Sequence, residues 1–367
     1  FKEKLKNENS VIYKKEKAKY EEILNNQAKT CMKIFNKPIC VLSGAAGTGK
    51  TTVIKAIVEN LERAHGSGIA FLLMAPTGKA AERIKNQTEK NSSTIHSFLA
   101  SNGWLNDNMT YKRQGGSKAT DVNTIIIDES SMIDLSLFAD LLRAINWNNV
   151  QRLILVGDPN QLSPIGRGKV FSDTIAWLKA NFPDNVGVLT DNIRQKANQL
   201  EGKGTGILDL AEVFIQEKQT ENEEKELISE RKKQKEELFA KILEKGSFSG
   251  KESGDVDADL GIYFWKDQDD LQDELKQVMI KDMESFTGKS LQDEDMSQNI
   301  LWQEAIKEDG KIVPEKIQII SPYRGEFYGT DMINTWFQKE FNSFFAEKYT
   351  IDGITYKDKV IQIVNKP

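Results

Sequence analysis

The stretch VLSGAAGTGKTTVIKAIVENL, residues 41–61, decides how the chain is read, because its apolar period changes across a run of small residues. Residues 39–42 are an apolar run that feeds a glycine-rich turn. After Lys50 and Thr51 the apolar residues Val53, Ile54, Ile57, Val58 and Leu61 recur at helical spacing. Gly44, Ala45, Ala46, Gly47, Thr48, Gly49, Lys50 and Thr51 match G-x-x-x-x-G-K-[ST], with Thr52 following in the first helical turn. Small residues let backbone N–H groups converge on phosphate oxygens, a helix N-terminus adds partial positive charge and Lys50 adds a full one. The Thr51 hydroxyl is suited to a magnesium ion. A glycine loop that only turns the chain is the alternative, and the flanking strand and helix weigh against it.

Composition bounds the rest. A chain of 367 residues is long for one core, so two domains are expected. With 50 basic and 55 acidic residues the net charge is −5, so any nucleic-acid partner must be met by local patches. No apolar run approaches the roughly 20 residues of a membrane span, and no membrane partner is expected. The two cysteines, Cys31 and Cys40, read as reduced thiols of a soluble cytosolic protein. Residues 1–24 read as a solvated charged helix or linker without chemistry of its own. The chain opens in a charged stretch and stops after a strand-like run, as a piece of a longer protein would.

Working outward, Ile23, Leu24, Ala28, Met32 and Phe35 can share one face of a helix that carries Gln27, whose amide can pair with the edge of an adenine or be an ordinary surface group. Beyond the first helix, residues 69–74 form a buried-strand pattern ending in Ala75, Pro76, Thr77, Gly78 and Lys79. In an open parallel sheet ligands gather at the carboxyl ends of strands, so Thr77 and Lys79 are placed for a phosphate of a second ligand. Ser92, Ser93 and Thr94 precede a short helix, and spacing alone favours an N-cap with His96 packed behind it. Residues 100–122, with Trp104, Tyr111, Lys112 and Arg113, form a polar excursion that reads either as a hairpin meeting nucleic acid or as a loop. The strand at residues 124–127 ends in Asp128 and Glu129. The first is placed to hold magnesium and the second to orient and deprotonate a water attacking a γ-phosphate; helix capping is the rival role. A strand at 152–156 leads to Gln161, an amide able to sense a terminal phosphate, and one at 186–189 leads to Arg194, a guanidinium able to reach across a domain cleft. Residues 216–245 are dense in mixed charge, 316–320 read as another buried strand, and 359–364 as a last one.

In order, GAAGTGKTT, APTGKAAERI, STIHSFL, IIIDESSMID, LVGDPNQLSPI, LTDNIRQ, ISPYRGEFYGTDMIN and DKVIQIVN resemble the RecD-like and Dda-like branch of the superfamily 1 helicases, which moves 5′ to 3′ on single-stranded DNA. The resemblance implies that Gln27 contacts adenine, that residues 44–52 hold ATP, that Thr51 and Asp128 hold Mg2+, and that Gln161 and Arg194 approach the γ-phosphate beside Lys50 and Glu129. Pro76, Thr77, Lys79, Thr94, His96, Pro322, Tyr323 and Arg324 would lie along the DNA. The excursion 100–122 would be the pin that parts the duplex, with Trp104 near its tip. Later motifs of the family do not occur before Pro367.

The expected fold is therefore α/β: a RecA-like P-loop NTPase parallel sheet at residues 25–190 with an inserted hairpin, then part of a second RecA-like domain at 191–367 carrying a charged insertion near 216–260. The expected activity is ATP-driven 5′-3′ unwinding at single-stranded DNA and duplex junctions. The alternatives are a DNA-stimulated ATPase switch or a nucleotide-dependent DNA-binding module.

Overall fold

In the computed structural model the described residues are 1–213 apart from 107 and 109, then 233, 236, 237, 240, 254–288, 290, 307–308, 311–312, 317–342, 348, 350–351 and 354–355. The chain divides into two compact units, Phe1–Ala240 with Asp257–Leu260, and Lys241–Val256 with Gly261–Pro367.

The first unit is built on six parallel strands: β1 (Ile39–Gly44), β2 (Phe71–Ala75), β3 (Ser92–Thr94), β4 (Thr124–Ile127), β5 (Arg152–Gly157) and β6 (Val186–Leu189), in the spatial order β3-β2-β4-β5-β1-β6. Apart from the edge strand β3, which is Ser-Ser-Thr, their largely apolar content is what a sheet covered on both faces requires. Successive residues alternate between the two cores. Cys40, Leu42, Leu73, Ala75, Ile126, Ile154 and Val156 face one, and Val41, Met74, Ile125, Ile127, Leu153 and Leu155 face the other. Helices α3 (Lys17–Phe35), α4 (Lys50–His65) and α5 (Gly78–Thr88) contribute to the first core, and α6 (Ile95–Ser101), α7 (Leu135–Arg143) and α8 (Val170–Asn181) to the second. Helix α9 (Ile193–Glu201) follows β6 and α10 (Gly206–Val213) follows it.

Four expectations need correction. The opening residues are no free linker: α1 (Lys2–Leu5) and α2 (Val11–Lys15) bury Leu5 and Ile12 in the first core, and Phe1 packs edge-on against Phe35 with ring centroids 5.2 Å apart. Lysine and glutamate hide this docking in the sequence because their heads stay in solvent while a few apolar residues are buried. On α3, Met32 stands in solvent and Cys31 and Ile34 take the buried positions. The first unit also runs on past residue 190, so the turn and helix bearing Arg194 pack with the P-loop sheet. In the second unit, residues 317–320 form no strand and Ile320 is 87% exposed. The strand read at 359–364 and nearly all of the charged insertion lie outside the described residues.

The polar excursion folds as a short hairpin. Leu105 bridges antiparallel to Tyr111, Lys112 N–H donates to the Trp104 carbonyl at 2.9 Å, and Asn106 N–H donates to the Thr110 carbonyl at 2.9 Å. Trp104 is thus at the base of the hairpin and not near its tip. It is only 5% exposed, its Nε1–H donates to the Ser117 carbonyl at 2.7 Å, and its ring lies against Gly116, where an added Cβ would come within 2.5 Å of the indole. An indole whose one donor is satisfied gains more by burial than at a solvated tip.

The second unit contains the helices Gln268–Thr287 and Thr330–Phe341, with Met279, Met283 and Phe341 buried together and Lys276 paired to Glu340 at 2.7 Å. Both cysteines are buried free thiols, and burial pushes each thiol up to about 12. Among the described residues no helix is long and apolar enough to cross a membrane.

Trp104→Ala should therefore destabilise the first unit by about 3–5 kcal/mol, the usual cost of emptying a buried aromatic site. Denaturant titration checks this; an unchanged midpoint would return Trp104 to an exposed role.

Candidate functional site

Every motif of the first unit sits at one edge of the sheet, because parallel strands all deliver their carboxyl ends there. The turn after β1 takes a left-handed backbone at Gly47 and at Gly49, both with φ near +86°, before α4 begins at Lys50. Lys50 is buried and folded back, its Nζ donating to the Gly44 carbonyl at 2.8 Å and the Ala45 carbonyl at 3.0 Å. Burial lowers its pKa, and Asp158, Glu129 and Asp128 oppose that by favouring the charged form. The Thr48 hydroxyl donates to the Ala45 carbonyl at 2.9 Å. Gln27 is buried beneath the loop, its Nε2 donating to the Thr48 carbonyl at 3.0 Å and lying where a Cβ on Gly49 would come within 2.7 Å. Ala46 receives a hydrogen bond from Asn192 Nδ2 at 3.1 Å. Thr51 is partly exposed and Thr52 exposed in the first turn of α4.

The acids follow β4. Asp128 is fully buried, and burial raises its pKa against the Glu129 N–H that donates to its Oδ1 at 2.9 Å. Glu129 takes a left-handed backbone, φ +51°, unusual for a residue with a side chain. Both carboxylates accept from one guanidinium: Arg83 Nη2 reaches Glu129 Oε1 at 2.7 Å and Asp128 Oδ2 at 3.2 Å. Arg83 was not singled out by the sequence. Its only signal was a basic residue on α5, between the buried Ala80, Ala81 and Ile84, close after the Thr77 turn.

Thr51 and Asp128 offer oxygen donors, and each Asp128 oxygen keeps a second lone pair beyond the bonds above. Among the described residues no three His, Cys, Asp or Glu side chains gather into a metal cluster. That donor set fits Mg2+, which takes one or two carboxylates and completes its shell with water and phosphate.

After β5, Asp158 is buried and accepts from Asn160 N–H at 3.0 Å, and the turn it makes leaves Gln161 exposed. After β6, the turn into α9 closes over the loop: the N–H groups of Ile193 and Arg194 donate to the Gly47 carbonyl at 3.0 and 3.2 Å. Arg194 thus starts beside the P-loop, in the same unit, with an exposed side chain. It does not reach in from a second domain.

The far half of the edge carries the other candidates. Ala75 of β2 is in register with Thr94 of β3, so the two strand ends are neighbours. Pro76 is partly exposed there, while Thr77 caps α5 by accepting from Ala80 N–H at 3.3 Å and Thr94 caps α6 by accepting from Ser97 N–H at 3.0 Å. Two helix N-termini therefore lie side by side, with Lys79 exposed in the first turn of α5. His96 is packed into the hairpin, its Nε2 3.0 Å from the Tyr111 hydroxyl, and burial lowers its pKa. In the second unit, Pro322 precedes Tyr323, whose exposed ring meets Tyr328 edge-on at 5.1 Å, and Arg324 pairs with Asp331 at 3.2 Å.

Residues 27–167 match the AAA domain family. The chain is 30% identical to an uncharacterized protein of Methanocaldococcus jannaschii over 99% of its own length and 30% of that protein's. It is 33% identical to the ATP-dependent RecD2 DNA helicase of Deinococcus radiodurans over 39% of this chain and 18% of that one. It is 36% identical to the ATP-dependent DNA helicase dda of enterobacteria phage T4 over 35% of this chain and 28% of that one. The chain thus spans between 18% and 30% of the length of these relatives.

Gly47→Ala tests the loop. Its Cβ would come within 2.6 Å of Asn192 Oδ1 and 2.8 Å of the Arg194 Cβ. The left-handed backbone adds about 1–2 kcal/mol for a residue with a side chain, equivalent to roughly a tenfold loss. Titration with a fluorescent ATP analogue should show at least that loss; unaltered affinity would mean that the turn does not hold the phosphates.

Proposed function

The chain belongs to the RecD-like and Dda-like branch of the superfamily 1 helicases, and on that premise we propose that it is the nucleotide-binding motor part of a protein that couples ATP hydrolysis to 5′-3′ movement on single-stranded DNA and to unwinding at duplex junctions. The observation that supports it best is the convergence on Lys50: a buried ammonium at the end of β1 faces carboxylates from the ends of β4 and β5. Charges of opposite sign buried at one strand edge cost free energy unless they are well paired and hydrogen-bonded, so a site that keeps them is a candidate for charged-ligand chemistry.

In this reading the backbone N–H groups of residues 44–51 and Lys50 hold the β- and γ-phosphates, while Gln27 braces the loop from below and offers its remaining amide atoms to adenine. Thr51 and Asp128 would hold Mg2+, which would neutralise phosphate charge when bound. Glu129 orients the attacking water and takes its proton; the γ-phosphorus gains that oxygen and the bond to the β-phosphate oxygen breaks with its electron pair, giving ADP and phosphate. Gln161 and Arg194 meet the γ-phosphate and register its loss as loop movement. Pro76, Thr77, Lys79, Thr94 and His96 receive the DNA backbone on the neighbouring strand ends. Tyr323 offers a ring for base stacking, worth about 1–3 kcal/mol, with Pro322 and Arg324 beside it. The remainder of the second unit would be part of a second RecA-like domain.

Phosphate release should be saturable in ATP and rise with single-stranded DNA, and Lys50→Ala should abolish it without lowering the thermal midpoint. Turnover at the wild-type rate in that variant would remove the P-loop from the chemistry.

A second reading, a DNA-stimulated switch or binding module that does not part duplexes, is favoured by the hairpin. With Trp104 in the core, the hairpin's one tryptophan is not available as a wedge, and residues 107 and 109 of the tip lie outside the described residues. Parting a base-pair step costs about 1.4 kcal/mol, and an aromatic or apolar wedge is the usual way to hold it open. Strand displacement by the full-length protein from a duplex with a 5′ tail decides: displacement is expected, and DNA-stimulated phosphate release without it would establish the switch.

A further inference from the structure

Arg83 has two bonds to the acids at the end of β4 and no role in the function as read so far. Its guanidinium approaches from α5, whose N-cap Thr77 opens the helix at the neighbouring strand end. One nitrogen, Nη2, is shared between Glu129 Oε1 at 2.7 Å and Asp128 Oδ2 at 3.2 Å. Glu129 is held on three sides. Its backbone takes the left-handed conformation, its N–H donates to the Asp128 side chain, and Oε1 is fixed by Arg83. Oε2 is buried with no hydrogen-bond partner among the described residues. A buried carboxylate oxygen without a partner costs free energy, and such atoms cluster where chemistry needs them.

We propose that Arg83 is the positioning residue of the hydrolytic step: by fixing Oε1 it orients Glu129 so that Oε2 is the oxygen that receives the proton of the attacking water. This rests on the nucleotide site proposed above and adds to it a residue that touches neither phosphate nor base. Because Arg83 and Thr77 share α5, it also makes the orientation of Glu129 depend on where that helix sits. A charge alone does not suffice for the role. The contact is a bridge from one nitrogen of a planar guanidinium to two carboxylates, and lysine replaces it with a point charge on a flexible stem.

The test is steady-state phosphate release with single-stranded DNA for the wild-type chain, Arg83→Gln and Arg83→Lys, with fluorescent ATP-analogue binding and thermal midpoints measured on all three. Arg83 has a half-exposed side chain, 45% accessible, so the variants should fold. Arg83→Gln should lower kcat by roughly ten- to a hundredfold, the scale of a misplaced catalytic group, with KM for ATP and analogue affinity within about twofold of wild type. Arg83→Lys should recover part of kcat. A purely structural role would instead lower the thermal midpoint or raise KM, and either result with kcat preserved overturns the proposal. Wild-type kcat in both variants overturns it as well. The comparison is made in the full-length protein, where wild-type kcat in Arg83→Gln overturns the proposal and leaves the nucleotide site standing, whereas a wild-type chain that fails to bind the analogue overturns the site itself.

Discussion

A lysine ammonium buried against its own loop's carbonyls is the contact around which the carboxyl end of this sheet is arranged. Lys50 cannot be dehydrated without compensation, since removing one ammonium from water costs several kcal/mol even after relaxation. Hydrogen bonds to the Gly44 and Ala45 carbonyls supply part of it, and the carboxylates of Asp158, Glu129 and Asp128 supply the electrostatic remainder. The carboxylates come from the ends of β5, which lies beside β1, and of β4, which is next in line.

The same loop is braced from three directions. Gln27 supports it from α3, Asn192 closes on Ala46 and the first N–H groups of α9 on Gly47, and α4 carries its far end. The brace extends outward. Lys196 of α9 pairs with Glu16 at 3.0 Å, and Lys15 donates to the Leu200 carbonyl at 2.6 Å, so the opening helices grip the helix that holds Gly47. Exposed pairs of this kind contribute only about 0–1 kcal/mol each. The buried Leu5 and Ile12 do more to fix α1 and α2, and through α2 the position of α9. A segment without chemistry of its own therefore helps set the geometry of the phosphate-binding turn.

Much of this was legible in the sequence, for a local reason. Five of the six strands of the sheet are apolar runs followed by a turn, and both the run and the turn are readable within about ten residues; β3, Ser92–Thr94, reads in the sequence only as the cap of α6. Asp128 and Glu129, Gln161 and Lys50 sit at strand ends, so locating a strand located them too. What the sequence concealed was set by distant contacts. Trp104 looked like an exposed aromatic in a polar loop, but Ser117 and Gly116, a dozen residues on, form its pocket. Arg83 looked like one more basic residue on a helix until β4, far along the chain, brought two carboxylates to it. Residues 317–320 have strand composition but no described strand geometry, and composition alone cannot distinguish a pairing strand from an apolar segment that is exposed.

The arrangement of the sheet edge also bears on how two ligands would influence each other. The candidate phosphate contacts at Thr77 and Thr94 lie at the ends of β2 and β3, and the glycine-rich loop at the end of β1; β4, which carries the acids, and β5 lie between them. No flexible relay is needed between the two halves. Helix α5 starts at one and touches the other, Thr77 to Arg83 being six residues or about 9 Å along a helix. A displacement of α5 by a ligand at its N-terminus moves the Arg83 end with it, because a packed helix moves as a body, with Ala80, Ala81 and Ile84 buried in the core as its fulcrum. On the proposed reading, coupling would be a matter of rigid geometry across one helix, limited by how far the buried Ala80, Ala81 and Ile84 let it tilt.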